Sequence, residues 1–189
     1  ILCDVAVERQ VEITGPDAAE FTQMLTPRDL SKMAVGQCKY ILITNADGGI
    51  LNDPILLRLA ENHFWISLAD SDVLLWAQGV AVNSGMDVTI RDPGSWVLQV
   101  QGPNSLDVMA DLLDEPLTEP FKYFSVHSTS IAGQPFLISR TGWTNEMGFE
   151  LYPLTTELDG PAMFHYIMEK GAPHGMIHSS LESMGIRRI

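Results

Sequence analysis

The chain has 189 residues, 46% of them hydrophobic, which is enough to build one large folded domain or two small ones. Its 24 acidic side chains outnumber the 11 basic ones, and the net charge of -13 argues against broad contact with nucleic acid. No apolar run is long enough to span a bilayer, no signal peptide is visible, and the two cysteines cannot build a disulfide framework. We therefore expect a cytoplasmic protein without a membrane anchor.

A strand, a Gly-Pro turn and a helix follow one another twice, at residues 11–17 and again at residues 98–104 and beyond. Alternating polarity predicts each strand, glycine permits the turn, and proline is tolerated in the first helical turn. This repetition predicts two related halves, 1–92 and 93–189, which meet at an Asp-Pro-Gly turn. Helical spacing predicts a buried face in each helix: Phe21, Met24 and Leu25 in the first, and Leu106, Met109 and Leu113 in the second.

The remaining elements alternate without a regular strand-helix-strand rhythm. In the first half we expect strands at 40–44, 55–59 and 63–68 and a helix at 70–83. In the second half we expect a hairpin of 126–131 with 135–139, a strand at 149–152 and a helix at 160–170. This order favours an α+β fold with antiparallel sheets. The sequence starts within one ordered pattern and stops within another, so we also expect a longer parent protein.

The densest functional signal lies in residues 45–54, where a glycine turn precedes an apolar pair and the carboxylate of Asp53. A carboxylate next to a tight turn is well placed to hydrogen-bond a ring nitrogen of a ligand. The residue types alone are equally compatible with Asp53 capping the turn before Pro54.

Several segments, in their order and spacing, resemble the glycine-cleavage T-protein (aminomethyltransferase) family. The segments are the Gly-Pro-Asp-Ala turn, residues 24–30, Gly48-Gly49-Ile50 with Asn52-Asp53, and residues 142–150. The resemblance implies three domains around a folate channel, of which this chain matches the first two and lacks the C-terminal barrel. It also implies tetrahydrofolate as the cofactor.

The resemblance assigns roles to individual residues. Asp53 matches the essential aspartate near N5 and N10 of tetrahydrofolate, and Glu150 matches the glutamate that hydrogen-bonds the pterin. Tyr40 matches a tyrosine that lines the site, and Arg188 matches the arginine of the family's Leu-Arg-Leu-Glu-Ala-Gly run.

Two departures from the usual aminomethyltransferase pattern favour one branch of the family. Asn52 replaces the first aspartate of an Asp-Asp pair, and Ala69 replaces an asparagine that contacts folate. These changes resemble the dimethylsulfoniopropionate demethylases, which implies methyl transfer from a sulfonium to tetrahydrofolate without a metal. Aromatic faces attract a sulfonium, and Trp143 and Tyr123 are the candidate substrate-binding residues, whereas Trp65 and Trp76 are expected in the core.

Three alternatives remain open on the sequence. A true aminomethyltransferase would need a lipoylated carrier protein, another folate-dependent demethylase would act on an O- or N-methyl donor, and a folate-binding protein would have no catalysis. The expected partner in the favoured reading is a small-molecule methyl donor, and the chain could also form a homodimer. His174 and His178 have a spacing seen in metal sites, but Pro173 and Gly175 interrupt the helix that such a site requires, so no metal is expected.

Overall fold

The computed structural model describes residues 1–69, 72–117 and 121–187, and it divides the chain into two compact units. The 7–94 unit runs from Val7 to Gly94, and the 95–189 unit starts at Ser95 and also includes Ile1–Ala6. The sequence pattern predicts that the opening residues belong to the first half, 1–92. They pack in the other unit because strand β1 (Leu2–Asp4) pairs with two strands of that unit.

The 7–94 unit is built on a five-stranded antiparallel sheet whose apolar face packs against two helices. Along the second strand, Val11 and Ile13 face this core, and Gln10 and Glu12 alternate with them and face the other side. The sheet order is β3-β6-β7-β2-β8, and β4 and β5 form a separate hairpin; the elements are β2 (Glu8–Thr14), α1 (Ala18–Met24), β3 (Cys38–Tyr40), β4 (Ile43–Thr44), β5 (Ile50–Asn52), β6 (Ile55–Ala60), β7 (His63–Ala69), α2 (Val73–Ala81) and β8 (Thr89–Arg91).

The 95–189 unit contains a six-stranded sheet with a second hydrophobic core. Phe149 and Leu151 point into this core, so Glu150 between them faces the opposite side of the sheet. The sheet order is β10-β11-β12-β9-β1-β13; the elements after β1 are β9 (Leu98–Gln101), α3 (Ser105–Leu112), β10 (Val126–Ile131), β11 (Gln134–Ser139), β12 (Gly148–Pro153), α4 (Gly160–Gly171), β13 (His178–Ser179) and α5 (Leu181–Arg187).

Within the described residues every strand pair is antiparallel except the pair of β1 with β13. The predicted α+β class with antiparallel sheets is therefore confirmed. In the same part of the chain, no helix combines the length and hydropathy that crossing a membrane requires.

The repeated strand-turn-helix pattern adopts the same backbone geometry in both units. Gly15 and Gly102 have φ angles of 127° and 129°, in a region that side chains with a Cβ rarely enter. The predicted inward faces are only partly correct, because Met24 and Leu106 are exposed. Both helices are short, and the rest of each predicted face is buried: Phe21 in α1 and Leu25 at its C-cap, and Met109 in α3 and Leu113 at its C-cap.

The hairpin of β10 with β11 is confirmed. Its two-residue connection places Ala132 and Gly133 at φ 49° and 73°, the double left-handed turn that matches the twist of paired strands. The strand predicted at 40–44 is in fact two strands, because β3 pairs with β6 whereas β4 pairs with β5. The helix predicted at 70–83 is described from Val73 to Ala81, and residues 70 and 71 lie outside the described part.

Candidate functional site

Asp53 lies in the short connection between β5 and β6, after a tightly built turn. The side-chain oxygen of Asn45 accepts hydrogen bonds from the backbone N–H of Asp47 at 3.1 Å and of Gly49 at 2.7 Å. A Cβ on Gly49 would lie 3.1 Å from the side-chain nitrogen of Asn45, a tight contact. This turn and the buried Pro54 hold the exposed Asp53 carboxylate on an ordered piece of backbone.

Tyr40 contacts Asp53 directly. Its hydroxyl donates to Oδ2 of Asp53 at 2.7 Å, and this hydrogen bond is the main reason why the pKa of Tyr40 is raised. The guanidinium of Arg28 donates to the backbone carbonyl of Tyr40 at 2.7 Å. This hydrogen bond helps to hold the backbone of Tyr40 in place. The structure thus brings together two residues that the sequence selected separately, on the surface of the 7–94 unit.

The two departures from the aminomethyltransferase pattern also contact each other. The amide of Asn52 donates to the carbonyl of Ala69 at 3.1 Å. An ionised aspartate at position 52 has no hydrogen to donate, so this link between the β4–β5 hairpin and the end of β7 requires the amide.

Glu150 is a buried carboxylate in the 95–189 unit, with only 5% of its surface exposed. In the sheet it lies opposite Ser139 of β11 and Gln99 of β9, so all three side chains project from the same face. Oε1 of Glu150 accepts from the Gln99 amide at 2.7 Å, and Oε2 accepts from the hydroxyls of Thr141, of Tyr152 at 2.9 Å and of Ser139 at 3.4 Å. These donors fix the position of the carboxylate and compensate for its burial.

The sequence prediction missed the residues that surround Glu150. Tyr152 had a usable signal, because residues two apart on a strand share a face. Gln99 and Ser139 lie on other strands, and only the strand register places them beside Glu150. Thr141 follows β11, and its hydroxyl donates to Oε2 of Glu150.

The two aromatic residues predicted to meet the substrate are both accessible. Tyr123 is exposed, and its ring packs edge-on against Phe124 at 4.6 Å. Trp143 is 37% exposed in the loop that follows Gly142. A Cβ on Gly142 would lie 2.5 Å from the side chain of Gln101. Arg188, the remaining predicted site residue, lies outside the described residues.

A second buried carboxylate, Glu12 in the 7–94 unit, was not selected from the sequence. Its Oε1 accepts from the indole N–H of Trp65 at 3.1 Å and lies 2.8 Å from Nε2 of His63, and its Oε2 accepts from Arg91. Burial by itself would raise the pKa of Glu12, but the hydrogen bonds from Trp65, Arg91 and His63 outweigh it and lower the pKa. The cluster joins strands β2, β7 and β8. Trp65 is buried, as expected. Trp76 is only partly buried and packs against the core of the unit.

Among the described residues, no group of three or more His, Cys, Asp or Glu side chains is placed to hold a metal ion. Nε2 of His174 lies 2.7 Å from a carboxylate oxygen of Asp111. This pair connects the single turn of 3-10 helix after α4 to helix α3.

Comparison with known proteins identifies relatives over the whole chain. The family model of the GCVT N-terminal domain matches residues 1–189. Dimethylsulfoniopropionate demethylase DmdA of Ruegeria pomeroyi is 40% identical over 158 residues, which cover 84% of this chain and 43% of the demethylase. The aminomethyltransferase of Halalkalibacterium halodurans is 33% identical over 184 residues, which cover 95% of this chain and 49% of the relative. The chain thus spans about half the length of these curated relatives.

The fold has a counterpart among solved structures. The crystal structure of glycine cleavage system aminomethyltransferase T from Bartonella henselae matches with a TM-score of 0.78. The sequences are 23% identical, and the match covers 95% of this chain and 46% of that chain. At this identity the likeness establishes the architecture alone.

Proposed function

Because the chain belongs to the family of the GCVT N-terminal domain, we propose that it is a tetrahydrofolate-dependent methyltransferase that demethylates dimethylsulfoniopropionate. The products are methylmercaptopropionate and 5-methyltetrahydrofolate. One observation carries the choice of substrate: the 40% identity with a dimethylsulfoniopropionate demethylase over 84% of the chain.

The described residues fit a reduced folate. The pterin ring presents N–H donors, and Glu150 and its neighbour Gln99 present buried acceptor oxygens, one of which has no partner among the described residues. In this proposal Glu150 hydrogen-bonds the pterin, Tyr40 lines the site together with Asp53, and Arg188 contributes to folate binding.

Methyl transfer from a sulfonium needs little covalent help from the protein. The bond between the methyl carbon and sulfur breaks as the bond from that carbon to N5 forms, and the sulfide leaves as a neutral molecule. N5 loses its proton, and the exposed carboxylate of Asp53 is the group that orients N5 and takes this proton up. The chain contributes mainly by positioning the reactants and by excluding water.

The aromatic side chains supply the attraction for the positive sulfonium. Trp143 and Tyr123 are both accessible, and a cation over an aromatic face gains about 0.5 to 2 kcal/mol per contact. The product sulfide carries no charge, so this attraction is lost once the methyl group has been transferred.

The second candidate is an aminomethyltransferase, favoured by the 33% identity with the Halalkalibacterium halodurans protein over 95% of this chain. This enzyme would take its one-carbon unit from a lipoylated carrier protein, release ammonia and form 5,10-methylenetetrahydrofolate. Folate-dependent demethylation of an O- or N-methyl donor and folate binding without catalysis are the remaining alternatives.

A direct assay tests the proposal. Purified chain is incubated with dimethylsulfoniopropionate and tetrahydrofolate, and both 5-methyltetrahydrofolate and methylmercaptopropionate are measured by mass spectrometry. We expect the two products in equal amounts, and none when tetrahydrofolate is left out. Release of ammonia from an aminomethylated carrier protein, without methyl transfer from the sulfonium, would assign the chain to the aminomethyltransferases instead.

A further inference from the structure

Gln99 on β9 has a buried amide oxygen that lacks a hydrogen-bond partner within the described part of the chain. The side chain is 0% exposed and lies opposite Glu150 of the neighbouring strand β12. Its Nε2 donates to Oε1 of Glu150 at 2.7 Å, and this fixes the orientation of the amide because a carboxylate can only accept. The amide oxygen is therefore turned away from Glu150, and its capacity to accept is unused.

The hydrogen bonds of Glu150 show which acceptors are left for a ligand. Oε2 already accepts from Thr141, Tyr152 and Ser139. Among the described residues, the hydrogen bond that Oε1 accepts comes from Gln99. Within the described part of the chain, two neighbouring acceptors at this face of the sheet therefore have spare capacity, Oε1 of Glu150 and Oε1 of Gln99.

We propose that Gln99 is a further ligand-binding residue, whose amide oxygen accepts a hydrogen bond from the 2-amino group of the pterin ring. The inference rests on the proposed tetrahydrofolate site. A pterin carries its 2-amino group next to the N–H at N3, and these adjacent donors match the adjacent acceptors of Gln99 and Glu150. Binding also relieves the unfavourable state of a buried acceptor without a partner.

The test combines a side-chain variant with a ligand analogue. Gln99→Met keeps nearly the same volume but can neither donate nor accept. Affinity is measured by calorimetry for 5-formyltetrahydrofolate, which is stable in air, and for its analogue that lacks the 2-amino group. We expect Gln99→Met to weaken binding of 5-formyltetrahydrofolate by about 10-fold or more, and binding of the analogue by less than about 3-fold.

The control is Gln10→Met in the 7–94 unit. Gln10 is also a buried glutamine on an inner strand, and its amide oxygen has no partner among the residues that the structure describes. Its Nε2, however, contacts the hydroxyl of Ser67 at 3.4 Å and not a carboxylate. This variant should change thermal stability and leave both affinities unchanged. Should Gln99→Met fail to fold, Gln99→Asn withdraws the amide by one methylene, and the same comparison of ligands applies.

Equal losses for both ligands would overturn the inference, because Gln99 would then act only by holding Glu150. Unchanged affinity for 5-formyltetrahydrofolate would overturn it as well. If the native chain binds neither ligand, the proposed function itself fails and this inference falls with it. This result is distinct from the two outcomes above, in which the native chain does bind 5-formyltetrahydrofolate.

Discussion

At the scale of single residues, the candidate site divides into exposed and buried groups. Asp53 and Tyr40 form a surface contact, so their removal affects few other interactions. Glu150 and Glu12 are buried, and each accepts hydrogen bonds from several donors. Changes at the exposed pair should therefore alter chemistry more than stability, whereas changes at the buried pair should alter stability as well.

Replacing Asp53 with alanine should reduce kcat/KM for the proposed methyl transfer by about 100-fold or more, because the group proposed to orient N5 and take up its proton is lost. Stability should change little, since Asp53 is exposed and its contact with Tyr40 is a surface hydrogen bond. Steady-state kinetics and urea unfolding measure the two effects. Asp47→Ala, an exposed carboxylate in the preceding turn, is the matched control and should retain activity. Equal losses of activity in both variants would exclude a specific role for Asp53.

Replacing Asp53 with asparagine should lower the pKa of Tyr40. The hydrogen bond to the carboxylate holds the phenol proton and raises this pKa, and an adjacent negative charge also opposes ionisation. Absorbance titration at alkaline pH should show one tyrosine ionising at lower pH in the variant. The Tyr40→Phe chain identifies that signal by its absence, and an unchanged titration in Asp53→Asn would contradict the contact.

Replacing Glu12 with glutamine should reduce the free energy of unfolding at neutral pH by about 1 to 3 kcal/mol, because the amide opposes Arg91 with a donor. The pKa of Glu12 is lowered in the folded chain, so its stabilisation is present above the pKa of an unfolded glutamate. It is lost as the pH falls through the lower, folded pKa. The difference in stability between native chain and variant should therefore shrink on acidification, as measured by urea unfolding at several pH values. A difference that grows at low pH would contradict the assignment.

At the scale of elements, the strand-turn-helix pattern occurs in both units but with different surroundings. Gly15 and Gly102 share nearly the same φ angle. A Cβ on Gly15 would lie 2.4 Å from the carbonyl oxygen of Asp87, whereas the nearest atom to a Cβ on Gly102 is 3.8 Å away. The same backbone turn is therefore crowded in one unit and open in the other.

This difference makes the two glycines a matched pair. Gly102→Ala should cost about 1 to 3 kcal/mol through backbone strain alone, and Gly15→Ala should cost more because the strain is joined by a steric clash. Chemical denaturation measures both. Equal costs would show that the loop at Asp87 moves aside without penalty.

At the scale of the whole molecule, the net charge of -13 limits which partners can bind. The acidic surface should repel polyanions, whereas the small folate that we propose as ligand would meet only the local groups of its site. In a gel-shift assay at roughly 0.1 M salt, where the screening length is about 10 Å, we expect no complex with duplex DNA. A basic protein of similar size is the control, and a retarded band with this chain would contradict the expectation.

The local features of this protein were determined by its sequence. Alternating polarity, Gly-Pro turns and the two-residue hairpin depend on neighbouring residues, so the α+β class, the repeated motif and the β10–β11 hairpin were all predictable. Tyr40 and Asp53 were also selected in advance, because both match positions of a known family. Their roles toward folate, like those of Glu150, Trp143, Tyr123 and Arg188, stay predictions.

Tertiary structure decided everything that depends on which strands become neighbours. The hydrogen bond of Gln99 to Glu150 joins residues 51 positions apart, and that of Trp65 to Glu12 joins residues 53 apart. No local pattern encodes such pairs, because the register of a sheet is set by the packing of the whole unit. For the same reason only the folded chain placed β1 in the 95–189 unit and joined Asn52 to Ala69.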